Sequence, residues 1–144
     1  MLAQELHYLL LVGYQYSSRA IIKQTNARQL MPGQPKILEF LLEHNGCTQR
    51  EIGEGCALDK STVTSLLYRM EDLGLVRKEA CEQDRRVSHI FLTPTGNTLA
   101  GEVKEICSSV DQQAWAGIAE GEKQAFMNTF QKIVENLKRQ GADE

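Results

Sequence analysis

Two helix-starting signals stand close together in the middle of this chain, and neither opens a helix long enough to hold itself. Thr48-Gln49-Arg50-Glu51 has the spacing of a capping box, in which the hydroxyl and the carboxylate each accept a hydrogen bond from the other residue's backbone N–H. Asp59 can cap a second run, which continues from Lys60 to about Leu73 and ends at Gly74. Isolated helices shorter than about 12–15 residues are marginal in water. The first also contains Gly53 and Gly55, each costing about 1 kcal/mol against alanine, so tertiary packing must hold it. The hydrophobic period then shortens. Residues 75–80 and 89–92 read as two strands, joined by the polar loop 81–88. Two short helices with a tight turn, followed by a hairpin, form the layout of a winged helix-turn-helix.

The flanks are helical. Residues 2–28 repeat apolar side chains at three- and four-residue steps, and Pro32-Gly33 breaks that pattern. Pro35 suits the first turn of another helix, which carries Ile37, Leu38, Leu41 and Leu42 and stops near Asn45-Gly46. After the hairpin, Thr93-Pro94 supplies a cap and a first-turn proline. Two further helices repeat Leu99, Val103, Ile106 and Val110, then Phe126, Phe130, Ile133, Val134 and Leu137, and the tail 140–144 should fray. The expected fold is therefore mainly α with a small β-hairpin wing. Residues 1–30 would form an N-terminal dimerisation helix, 31–93 the winged domain and 94–144 C-terminal dimerisation helices.

Other classes find little support. No apolar run reaches the roughly 18–20 residues of a membrane span, and 8–14 lacks the basic start and cleavage site of a signal peptide, so a cytoplasmic location is expected. Cys47, Cys56, Cys81 and Cys107 are scattered and expected to be reduced. His7, His44 and His89 lie on separate elements without metal-ligand spacing, so no metal is expected. Neither a catalytic arrangement nor a cofactor motif is present. The formal charge of −3 gives no help to a DNA-binding reading, which depends on local basic surface instead.

On a helical wheel, Val63, Leu66, Leu67, Met70 and Leu73 share one face of the second helix. Ser61, Thr64, Ser65 and Tyr68 lie opposite, flanked by Thr62 and Arg69. A small, hydroxyl-rich face can approach phosphates and base edges, although any surface helix has a polar side. The loop holds Asp84-Arg85-Arg86, where an arginine can enter a narrow minor groove and Asp84 can hold a neighbouring guanidinium by a bidentate contact.

Asp84-Arg85-Arg86 followed after five residues by Leu92-Thr93-Pro94-Thr95-Gly96 resembles the wing signature of the MarR-type (multiple antibiotic resistance) regulators. Leu58-Asp59-Lys60-Ser61-Thr62-Val63-Thr64, Arg69-Met70-Glu71 and Gly74-Leu75-Val76 resemble the same family, as do Leu30-Met31-Pro32-Gly33-Gln34 and Leu38. The resemblance implies a homodimer, interlaced through its first and last helices, that regulates transcription, as a repressor more often than an activator, from a palindromic site in double-stranded DNA. It places Ser61, Thr62, Thr64, Ser65 and Arg69 at the major groove, Arg85 or Arg86 in the wing contact with Asp84 orienting it, and Gln34 and Gln49 near the DNA backbone. Ser65 stands where many members carry a basic residue, Cys56 where a core aliphatic is usual and Ala57 where a turn glycine is common. Acidic Glu71, Asp72, Glu79 and Glu82 balance the basic groups, so the electrostatic footprint should be modest and local.

Relief by a small aromatic or phenolic effector is a further implication, with His7, Tyr8, Tyr14, Tyr16 and Arg19 lining a cavity between the dimer helices and the winged domain. Thiol sensing is the rival signal. Cys47, just before a helix start, and Cys81, near the basic wing, are its candidates, while Cys56 and Cys107 are expected to be buried. A rival of another class is a winged-helix module that binds a protein and never DNA.

Overall fold

The computed structural model describes residues 1–142. A short 3-10 turn, Leu2–Gln4, precedes α1 (Leu6–Thr25), and another, Asn26–Arg28, follows it. Then come α2 (Gln34–Glu43), β1 (Cys47–Thr48), α3 (Gln49–Cys56), α4 (Lys60–Asp72), β2 (Val76–Ala80), β3 (Ser88–Leu92), α5 (Pro94–Ala114) and α6 (Glu120–Ala142). The fold is mainly helical with a winged helix-turn-helix, as expected from the order of periods.

Two compact units are present, Met1–Val110 and a second that begins at Asp111. In the first, the core is a contiguous set of fully buried side chains: Ile37, Leu38 and Leu41 from α2, Ile52 from α3, Val63, Leu67 and Met70 from α4, Val76 and Ile90 from the strands, and Val103 from α5. Burial of one such side chain stabilises by roughly 1.5–3 kcal/mol. That shared core holds two helices too short to persist alone. In the second unit Trp115 meets Phe126 edge-on and Phe126 stacks on Phe130, with ring centres 5.9 and 5.4 Å apart.

The local signals act as their chemistry requires. Thr48 Oγ1 accepts from Glu51 N at 3.1 Å while Glu51 Oε1 accepts from Thr48 N at 3.2 Å, completing the box. Thr93 Oγ1 accepts from Gly96 N at 3.0 Å and donates to Gly74 O at 2.6 Å, tying the start of α5 to the end of α4. Gly55 lets α3 lie on α2, because a Cβ there would overlap the Phe40 ring.

Three boundaries differ from the sequence reading. The first helix does not run unbroken from Leu2, since Glu5 is extended at φ −88°, ψ 132° and separates the 3-10 turn from α1. The hairpin is part of a three-stranded antiparallel sheet in the order β1-β3-β2. The two residues of β1 pair as Cys47 with Ile90 and Thr48 with His89, a bridge too short to leave a period. Residues 140–142, expected to fray, continue α6, and the remainder of that tail, Asp143 and Glu144, lies outside the described residues.

Ala57 ends α3 in the left-handed region, with φ 55° and ψ 47°. An L-residue there costs roughly 1–2 kcal/mol, whereas glycine enters it without a Cβ clash but loses more chain entropy on folding. Ala57→Gly is therefore expected to stabilise the chain by roughly 0.5–1 kcal/mol. Thermal unfolding checks it, and a lowered midpoint would show that the backbone there is not left-handed in solution.

Candidate nucleic-acid interface

Asp59 fixes the start of α4. One of its oxygens accepts from Thr62 N and Ser61 Oγ, both at 2.8 Å. Those bonds, the backbone one first, hold its carboxyl below the usual carboxylate range. The helix then sorts its faces. Val63, Leu66, Leu67 and Met70 are buried, while Ser61, Thr64, Ser65, Tyr68 and Arg69 are exposed and Thr62 is half-buried. Leu73 corrects the wheel: it is the C-cap residue and is exposed, because the chain leaves the helix before Leu73 can turn inward. Arg69 reaches back along the surface, its Nη1 2.7 Å from Met31 Sδ.

The wing closes through backbone bonds. Cys81 N donates to Val87 O at 2.9 Å, and Val87 N donates to Asp84 O at 3.0 Å. The expected bidentate grip of Asp84 on a guanidinium is not what forms. A single oxygen, Oδ1, accepts both Arg86 N at 3.0 Å and Arg86 Nε at 3.2 Å. Asp84 thus sets the turn and Arg86 together. Arg85 is exposed and in no ion pair among the described residues.

Between α3, α4 and the wing lies a cleft of about 670 Å³, with Arg50, Lys60 and Arg86 on its rim and Leu58, Val63 and Val87 among its apolar walls. Sequence reading passed over Arg50 and Lys60, since each sits in a cap motif that explains it without function. Arg50 is partly answered by Glu54 at 3.1 Å. Of the acidic residues expected to balance this region, Glu79 turns to Arg77, whose guanidinium also lies 4.5 Å from the Phe91 ring centre.

The two glutamines part company. Gln49 stays beside the cleft, its Nε2 donating to Thr64 Oγ1 at 3.4 Å. Gln34 is fully buried and cannot reach a DNA backbone in this conformation. Its Oε1 accepts from Met31 N at 2.9 Å, so it closes the turn into α2 instead.

The proposed effector residues form no chamber within one chain. His7, Tyr14, Tyr16 and Arg19 are exposed on α1 and Tyr8 is half-buried. Arg19 lies over the Tyr16 ring at 5.5 Å and Lys36 over Tyr14 at 6.0 Å. The thiols also differ from expectation. Cys47 is buried in β1 and its pKa is raised by burial, which removes it as an accessible sensor. Cys56 and Cys107 are half-buried rather than buried, and desolvation pushes Cys56 up to about 11. Cys81 is lowered, by the backbone N–H groups of Asp84 and Gln83 and then by His89. Among the described residues no cluster of His, Cys, Asp or Glu could hold a metal ion, and no helix is long and apolar enough to cross a membrane.

Comparison with known proteins agrees with this geometry. Residues 29–87 match the model of the MarR family. The chain is 27% identical over 122 residues to the transcriptional regulator HosA of Escherichia coli, covering 81% of this chain and 90% of that one. A MarR-family transcriptional regulator from Silicibacter pomeroyi superposes with a TM-score of 0.86 at 25% identity, over 94% of this chain and 92% of that chain. The transcriptional regulator PA3341 gives 0.85 at 28% identity, over 94% and 99%. These relatives are transcriptional regulators, not enzymes.

Proposed function

Because residues 29–87 match the MarR family and the similar proteins along most of the chain are transcriptional regulators, we propose that this chain is a MarR-family regulator, a cytoplasmic repressor that binds a palindromic operator in double-stranded DNA as a homodimer. The observation that carries this reading is the pairing of an exposed, hydroxyl-rich α4 face with a wing whose Arg86 lines the same cleft and whose Arg85 is exposed and in no ion pair among the described residues. Ser61, Thr62, Thr64, Ser65 and Arg69 would meet the major groove and Arg85 the adjacent minor groove, with Lys60, Arg50, Arg86 and Gln49 along the phosphates.

Exposed apolar side chains support the homodimer. On α1 and the turn before it, Leu2, Leu6, Leu9 and Leu11 are roughly half exposed or more, and α6 separately exposes Phe126 and Leu137. Unpartnered stripes of this kind favour a second copy. Two-fold symmetry would then set two recognition helices about 34 Å apart, one DNA turn. Residues 1–30 and 94–144 would supply the pairing surface and 31–93 the DNA-binding part. A small aromatic effector would bind where a second chain encloses the α1 aromatics and would favour a dimer with the wrong helix spacing. Thiol control, the alternative signal, rests on Cys81.

Salt-dependent binding to duplex from upstream of the chain's own gene, against a scrambled duplex, tests the reading. Preferential binding that falls steeply with salt is expected. Feeble, equal binding to both, followed by failure to select any site from random DNA, would leave the protein-binding module.

A further inference from the structure

The reading face of α4 is unusual in what it withholds. The stripe that would enter a major groove runs Ser61, Thr64, Ser65, Tyr68, and no member is an arginine, lysine, asparagine or glutamine. Those four are the side chains that contact guanine or adenine edges bidentately. The cations nearby border the stripe rather than lie on it. Lys60 and Arg69 line the same shallow depression as Ser61, Thr64, Ser65 and Tyr68, with Arg69 Nη1 held on Met31 Sδ and Lys60 also lining the cleft beside Arg50 and Arg86. Gln49, the nearest amide, already donates to Thr64.

The hydroxyls on the stripe are partly committed as well. Ser61 donates its proton to Asp59 at 2.8 Å. Thr64 donates to Lys60 O at 2.9 Å and accepts from Gln49, so its Cγ2 methyl is the group left to meet a base. Tyr68, 70% exposed and with no side-chain partner among the described residues, offers a ring one turn further along the same stripe. Ser65, whose hydroxyl has no partner among the described residues, serves donors and acceptors alike and discriminates little. A threonine methyl and an aromatic ring side by side are the chemistry that recognises the C5 methyl of thymine.

We infer that Thr64 and Tyr68 read thymine methyl groups in the major groove, so that operator preference is carried by thymine rather than by guanine. This rests on the proposed DNA-binding function. It also agrees with the wing, because Arg85 gains most in the narrow minor groove of A·T-rich DNA.

The experiment selects preferred duplexes from random DNA with the full-length chain, then replaces each thymine in turn by deoxyuridine, which removes only the C5 methyl. At least one position per half-site should bind about fourfold more weakly, the value of one buried methyl group. Thr64→Ser keeps Oγ1 and its two hydrogen bonds, and should bring the thymine-to-uracil ratio at its position toward one. A selected site in which every such ratio is one, or in which 7-deazaguanine costs more than any uracil, overturns the inference while leaving the regulator reading standing. Failure to select any sequence overturns both.

Discussion

Gly96→Ala is expected to unfold the unit Met1–Val110 at denaturant concentrations the native chain tolerates, with a loss of at least about 3 kcal/mol. Gly96 is buried in the first turn of α5, and a Cβ built there falls well inside contact distance of the Leu75 carbonyl oxygen. The obstacle is backbone, so no rotamer change relieves it. Moving α5 away would pull Val103 out of the core and strain the bonds from Thr93 to Gly74 O and from Thr93 N to Leu75 O. Gly101, on the same helix with open space around its Cβ position, is the control. Gly101→Ala should be neutral or add up to about 1 kcal/mol through helix propensity. Urea unfolding followed by far-UV circular dichroism separates the two. Equal midpoints for both variants would mean that α5 does not dock this closely in solution.

The wing gives the largest expected change in binding. Arg85→Ala with Arg86→Ala should weaken binding to a selected operator roughly 10–100-fold at moderate salt, and should flatten the logarithmic salt slope by about 4 for the homodimer, about 2 for each protomer, if both neutralise phosphates. The single variants should not contribute equally. Arg86 already gives its Nε and backbone N–H to Asp84 Oδ1, so contact with DNA competes with an existing bond. Arg85 has no such rival, and Arg85→Ala alone should account for most of the loss. Fluorescence anisotropy across a salt series measures both quantities. An unchanged slope in the double variant would remove the wing arginines from the interface.

How far the sequence alone carried this reading depends on how far apart the interacting residues are. The capping box at Thr48, the cap at Asp59 and the Thr93-Pro94 start of α5 each involve neighbours within three residues, and each formed as its spacing implied. β1 was illegible because two residues carry no period, and only pairing with β3, more than 40 positions later, makes them a strand. Gln34 misled for a related reason. A glutamine in the first turn of a helix looks solvent-facing, and its burial follows from how the chain before α2 folds over it. Cys47 misled likewise, being exposed in a helix-entry loop and buried once that loop becomes a strand. For the candidate interface, residue types could be read from periodicity, but which hydroxyls and guanidiniums were already engaged could not.

The bridge between β1 and the wing has a mechanical consequence. Gly46 N donates to Ile90 O at 2.7 Å, Asn45 Oδ1 accepts from Leu92 N at 2.8 Å, and His89 Nδ1 bonds Gly46 O at 2.9 Å. β3 is thereby anchored at the root, β2 is held through its pairing with β3, and the seven-residue span 81–87 projects beyond the paired strands. The arginines ride on a short cantilever rather than a loose tether. In the proposed complex with DNA, little chain entropy would remain to be lost as they seat in a groove, which would lower the cost of binding and lengthen the residence time.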